Sequence, residues 1–187
     1  MSLRMIAKTM TADRRNRKTS LQRSKLVVGW REWLSLPDLG IELIKAKVDT
    51  GARTSALHAF DIAPFQQNGD TWVRFNIHPL QRNDVLILPC TCRALDYRWV
   101  TNSGGGREQR FVIETLVHVG DEAWPIEVTL TSRDQMGFRM LLGRTAIRKH
   151  FVVDPGRSFC ASSARWRKRQ KRHYKEASGT RSVSIEK

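Results

Sequence analysis

The chain has 187 residues, enough for one domain that buries a core without disulfide staples. Hydrophobic residues make up 40% and charged residues 27%, which excludes a wholly disordered chain, and three cysteines (Cys90, Cys92, Cys160) do not make a disulfide framework. The net charge of +15 is uneven: residues 1–25 hold eight basic side chains against one acid, residues 161–187 hold nine against two, and the stretch between carries +1. A core built to read nucleic acid would carry a basic patch of its own, so the composition argues against that role.

In chain order, residues 1–25 are polar and basic and are expected to form a disordered arm. They lack an apolar stretch of a signal peptide, and no run approaches the roughly 20 apolar residues that span a bilayer. The expected setting is therefore cytoplasmic, without a membrane partner. Residues 27–36 and 41–48 read as strands joined by the turn Pro37-Asp38-Leu39-Gly40. Further strands are expected at 55–62, 72–77, 85–89, 93–100, 111–119 and 124–131, with turns at Asn68-Gly69-Asp70, at 102–106 and at Gly120-Asp121. One short helix is expected at 144–150, then a strand at 151–154. Many short strands with glycine-rich turns predict a mostly β domain over 26–160, a closed or nearly closed β-barrel. Residues 161–187 read as a second basic tail, helical at most on an acidic partner.

The tetrapeptide Asp49-Thr50-Gly51-Ala52 follows directly on the apolar strand 41–48. A carboxylate at a strand end is presented rigidly there; Gly51 permits close backbone approach or unusual dihedral angles, and Thr50 can hydrogen-bond locally to fix the loop. Alone, the triplet is as readily an ordinary turn. Its second element is Met140-Leu141-Leu142-Gly143-Arg144, just before the expected helix.

Together these residues resemble the retropepsin-like aspartic proteases, in which an aliphatic-Gly strand threads beside the Asp loop and supports it. The flanking strings Val48-Asp-Thr-Gly-Ala-Arg-Thr-Ser-Ala-Leu-His58, Glu127-Val-Thr-Leu-Thr-Ser-Arg-Asp-Gln-Met136 and Phe151-Val-Val-Asp-Pro155 resemble a narrower bacterial group long labelled ATP-dependent zinc proteases, with the RimB-type proteins among them. The resemblance implies a retropepsin-like barrel and aspartic endopeptidase activity. Asp49, Thr50 and Gly51 would be catalytic, with Ala52, Leu141, Leu142, Gly143 and Arg144 as supports. Peptide hydrolysis needs a base for water and an acid for the leaving amine, and two carboxylates sharing one proton supply both. The chain holds one Asp-Thr-Gly, so the reading requires a homodimer with one Asp49 from each copy. Retroviral members carry acidic residues after the Ala, where this chain has Arg53 and Thr54. Arg144 is therefore expected to pair elsewhere, with Asp134 or Asp154. A flap is implied too, over 102–107 with Gly104, Gly105 and Gly106, or over 66–70; both remain open.

The zinc and ATP labels find little here. The chain has no His-Glu-x-x-His, no Cys-x-x-Cys and no Gly-x-x-x-x-Gly-Lys-Ser/Thr. Cys90 and Cys92 share a strand face and, with His58 and His78, make a site conceivable, but buried free thiols are the simpler reading. No metal and no cofactor is expected. A lone His58 reads as structural, Arg133–Asp134 as a bracing ion pair, and the dispersed tryptophans Trp30, Trp33, Trp72, Trp99 and Trp124 as core and interface.

The implied substrate is a protein or peptide, with the RimB-type relatives linked to glutamate-tailed ribosomal protein. Two other classes stay in play: a peptide-binding module without catalysis, and a ribosome- or RNA-associated protein. The latter would bind RNA or an acidic partner through its basic tails, where Trp166 and Tyr174 interleave the charges.

Overall fold

The computed structural model describes residues 25–81, 83–101, 105–132 and 137–162, together with Ala164, Arg167, Lys168 and Arg172. The N-terminal arm and most of the C-terminal tail lie outside the described residues. The described chain is mostly β, with eleven strands and one short helix: β1 Leu26–Gly29, β2 Arg31–Leu36, β3 Ile41–Asp49, β4 Ser55–His58, β5 Phe60–Gln67, β6 Asp70–Ile77, β7 Leu88–Thr101, β8 Arg107–Val119, β9 Glu122–Thr131, β10 Met140–Gly143, α1 Arg144–Ile147 and β11 Phe151–Asp154. Among the described residues no helix is long and apolar enough to cross a membrane.

The β2–β3 hairpin forms where the sequence predicts it. Pro37–Leu39 makes a single 3-10 turn, and Gly40 closes it at φ 67°, donating its N–H to the Pro37 carbonyl. Asn68 and Gly69 both have positive φ, as a two-residue loop between antiparallel strands requires, and join β5 to β6. Several element ends shift by a few residues, the helix stopping at Ile147 and β8 starting at Arg107, and three stretches are divided or joined differently from expectation. The stretch 27–36 breaks at Trp30, because β1 leaves the main sheet to pair in parallel with β11. The stretch 55–62 breaks at Ala59, after which β5 starts a hairpin of its own. Conversely, 85–89 and 93–100 merge into β7, a 14-residue strand that takes β6 on one part of its length and β8 on the other.

The main sheet runs β2-β3-β10-β4-β9-β8-β7-β6-β5. An additional pairing of Ser35 in β2 with His118 in β8 makes six of these strands a ring: β2, β3, β10, β4, β9, β8 and back to β2. Its inside is the core, with Leu34, Ile44, Ala46, Leu57, Ile113, Val117, Val128, Met140 and Leu142 all buried. Burial of such side chains stabilises by roughly 1.5–3 kcal/mol each before chain entropy is subtracted.

A second carboxylate organises the chain ends. Glu32 in β2 is fully buried. Its Oε1 accepts from the N–H of Gly29 (2.7 Å), Cys160 (2.6 Å) and Ala161 (3.1 Å), and its Oε2 from the Ser162 N–H (3.0 Å) and hydroxyl (2.5 Å). The segment 157–162 is thereby laid along β1 and β2. Backbone bonds from Trp30 to the Arg157 carbonyl and from Phe159 to the Arg31 carbonyl continue the contact.

Candidate active site

Asp49 is the last residue of β3, and the chain turns sharply after it. Its Oδ1 accepts the backbone N–H of Gly51 (3.0 Å) and of Ala52 (3.1 Å), so the carboxylate is held by its own loop. This is the Asx-type geometry that an aspartate at a turn start favours. A Cβ at Gly51 would stand 3.3 Å from Asp49 Oδ1, tight enough that the carboxylate would shift by a few tenths of an ångström, while its φ lies outside the left-handed region. Among the described residues the Thr50 hydroxyl has no hydrogen bond that would fix the loop. The Thr50 carbonyl has one, accepting from Arg144 Nη1 at 3.0 Å.

β10 slots between β3 and β4, parallel to the first and antiparallel to the second, with Gly143 opposite Asp49 and Leu142 opposite Val48. Leu142 is fully buried beneath the loop and Leu141 is half-buried opposite Lys47. Gly143 cannot be replaced without displacement, since a Cβ would sit 2.5 Å from the Thr54 carbonyl carbon and 2.7 Å from the Ser55 nitrogen. Its N–H donates to Ser55 Oγ (3.1 Å). The start of α1 continues the brace: Arg144 N–H donates to the Ala52 carbonyl (2.8 Å), and Thr145 gives both N–H and hydroxyl to the Arg53 carbonyl (3.0 and 2.9 Å). The expected supports therefore converge on residues 49–55.

Among the described residues Arg144 engages a carbonyl, that of Thr50, rather than Asp154, whose carboxylate accepts from the Gly156 N–H (2.9 Å). Asp134, the other expected partner, lies outside the described residues. The Arg133–Asp134 pair lies outside them too. Ser55 and Thr145 are braces that the sequence reading missed. The usable signal was their position, each next to a strand or helix that the motif had already located.

The flap candidates separate by size. The turn 66–70 is a tight β5–β6 hairpin end, whereas Gly105 (φ 82°) and Gly106 stand at the tip of the long β7–β8 hairpin; Gly104 lies outside the described residues. That hairpin leaves Tyr97 and Trp99 more than half exposed. Trp99 is thus not a core residue, which leaves the interface half of that expectation; the Arg107 guanidinium lies over its ring at 5.6 Å.

Cys90 is buried and donates to the Leu39 carbonyl, and Cys92 is half-buried on the same strand face. Burial pushes the Cys90 thiol up to about 11 and, with the neighbouring Cys90, the Cys92 thiol up to about 12. His58 is buried at the end of β4.

A model of the RimB-like family, described as retropepsin-like aspartic endopeptidase RimB, matches residues 27–164. The chain belongs to the RimB-like family. Among curated relatives, a probable alpha-L-glutamate ligase of Shewanella pealeana is 47% identical over 137 residues, 73% of this chain and 30% of its own. One of Parasynechococcus marenigrum is 50% identical over 131 residues, 70% of this chain and 28% of its own. The chain thus spans under a third of these longer proteins. A crystal structure of Lpg0085 from Legionella pneumophila, a DUF785 protein of unknown function, is 26% identical, with a TM-score of 0.62 over 74% of this chain and 100% of that one.

Proposed function

We propose that this chain is an aspartic endopeptidase with a retropepsin-like closed barrel, active as a homodimer in which each copy supplies one Asp49. The observation that carries the reading is the way Asp49 is held. Oδ1 is tied to the loop by two N–H groups, Oδ2 has no partner among the described residues, and β10 and α1 brace the loop from below. An ionisable group fixed in place but unsaturated at one oxygen is what acid–base chemistry requires.

Two such carboxylates facing across a two-fold axis share one proton. The ionised one takes a proton from water as its oxygen bonds to the peptide carbonyl carbon. The protonated one gives its proton to the carbonyl oxygen, leaving a tetrahedral diol. Proton transfer to nitrogen then breaks the C–N bond and yields an acid and an amine, one water consumed. Thr50, Gly51 and Ala52 orient the carboxylate, and the β7–β8 hairpin serves as the flap.

The ligase name belongs to relatives more than three times as long as the matched stretch, so it supports a partnership more than a shared reaction. The substrate we favour is a protein carrying added glutamates, such as a glutamate-tailed ribosomal protein. The basic residues 161–187 suit an acidic or RNA-bearing partner of that kind.

The test is cleavage of an unfolded protein mixture between pH 4 and 7 by wild type and Asp49→Asn, with product termini read by mass spectrometry and sedimentation run alongside. Cleavage by the wild-type dimer alone supports the reading. Cleavage that survives Asp49→Asn, or by a strict monomer, overturns it.

A further inference from the structure

Lys45, Lys47 and Asp49 alternate along β3 onto one face of the strand. The cross-strand register sets Arg31 of β2 opposite Lys47 and Trp33 opposite Lys45. Three cations therefore lie on the face that ends in the catalytic carboxylate. Two of them are committed. The Arg31 guanidinium is stacked on Trp30 (4.6 Å) and Phe159 (5.0 Å) and donates to Ser158 Oγ (3.2 Å), and the Lys45 ammonium lies over the Trp33 ring at 4.9 Å. Lys47, between them, is exposed, and its ammonium has no hydrogen bond, ion pair or ring contact among the described residues. On its other side β10 places half-buried Leu141 directly opposite it.

We infer that Lys47 is a specificity-determining residue, reading an acidic side chain of the substrate next to the scissile bond. This rests on the endopeptidase reading of Asp49. Two residues of strand span about 7 Å, the distance from a cleavage centre to a neighbouring side chain on an extended peptide. A flexible ammonium on an apolar floor suits a single carboxylate head whose methylenes pack on Leu141. In a symmetric dimer the partner's Lys47 stands on the far side of the dyad. Both side chains flanking the bond then meet a cation, and the favoured bond joins two acidic residues.

The experiment uses the full chain and three peptides identical except for the pair flanking the bond: Glu-Glu, Gln-Gln and Lys-Lys. The readout is the ratio of kcat/KM values within one protein, which cancels any loss of folded fraction. Wild type is expected to prefer Glu-Glu over Gln-Gln by about tenfold or more. Lys47→Met removes the preference, Lys47→Arg keeps most of it, and Lys47→Glu turns it toward Lys-Lys. A Glu-Glu preference that persists in Lys47→Met overturns the inference. Binding of the same peptides to Asp49→Asn, with and without Lys47→Met, separates the two readings. Lys47-dependent binding without cleavage by wild type sinks the endopeptidase and keeps the recognition role; binding indifferent to Lys47 sinks the recognition role alone.

Discussion

Two carboxylates in this chain are held by backbone N–H groups, and they are held to opposite ends. Glu32 is fully buried, and five donors occupy both of its oxygens. Asp49 is half-exposed, and two donors occupy one oxygen only. A carboxylate offers about four acceptor positions, so the first is saturated and inert while the second keeps capacity for an incoming proton or water. Position on the strand decides this: Glu32 lies early in β2 under the returning segment 157–162, whereas Asp49 ends β3, where among the described residues only its own loop donates to it.

Substitutions break the comparison in a definite order. Asp49→Asn should cut peptide cleavage by about a thousandfold or more while thermal unfolding stays close to wild type, because the amide oxygen still accepts from Gly51 and Ala52. Glu32→Ala should do the reverse. It strands several buried donors and costs about 3 kcal/mol of stability by urea titration, and it exposes the chain after Cys160 to limited proteolysis. Gly143→Ala tests the brace between them. With a Cβ 2.5 Å from the Thr54 carbon it should destabilise by about 2 kcal/mol and lower cleavage as well, since the loop it pushes carries Asp49. Ser55→Ala, which removes the acceptor for the Gly143 N–H, should cost about 1 kcal/mol.

The smallest effect is a pH dependence. The folded Cys90 and Cys92 pKa values are raised above 9.0, so the folded state holds protons that the unfolded state releases. Their contribution to stability is complete below pH 9 and fades as the pH climbs from 9 through about 11 for Cys90 and about 12 for Cys92. Replacing both by Ala should flatten that part of the stability profile, measured by denaturant titration in steps of pH.

The sequence carried the Asp49 loop well because its signals are local: an apolar strand, a turn-forming Asp-Thr-Gly and a glycine-ended aliphatic run. The insertion of β10 between β3 and β4 was legible only through the family resemblance, since periodicity says nothing about which strands pair across some 90 residues. Glu32 looked like any polar residue in a strand. Apart from Gly29, its partners lie 128 to 130 positions away, and nothing near it announces them. The length of β7 was hidden by Pro89 and the two cysteines, which read as a break. The register tolerates Pro89 opposite Asn76 near the start of the strand. Of the two carboxylates expected for Arg144, Asp154 is turned to its own loop, and the bond to the Thr50 carbonyl had no signal in the sequence because main-chain acceptors are not written in residue type.

The pairing of Ser35 with His118 sets how this sheet will come apart. Every other junction of the ring is stitched over two to eight registered pairs, but β2 meets β8 at one, assisted by the Leu116 N–H on Asp38 (2.7 Å). The ring is a strip of six strands clasped once. Heat or pulling force should open that clasp before any other seam, letting β2 and β3 swing out with the Asp49 loop still attached to β10.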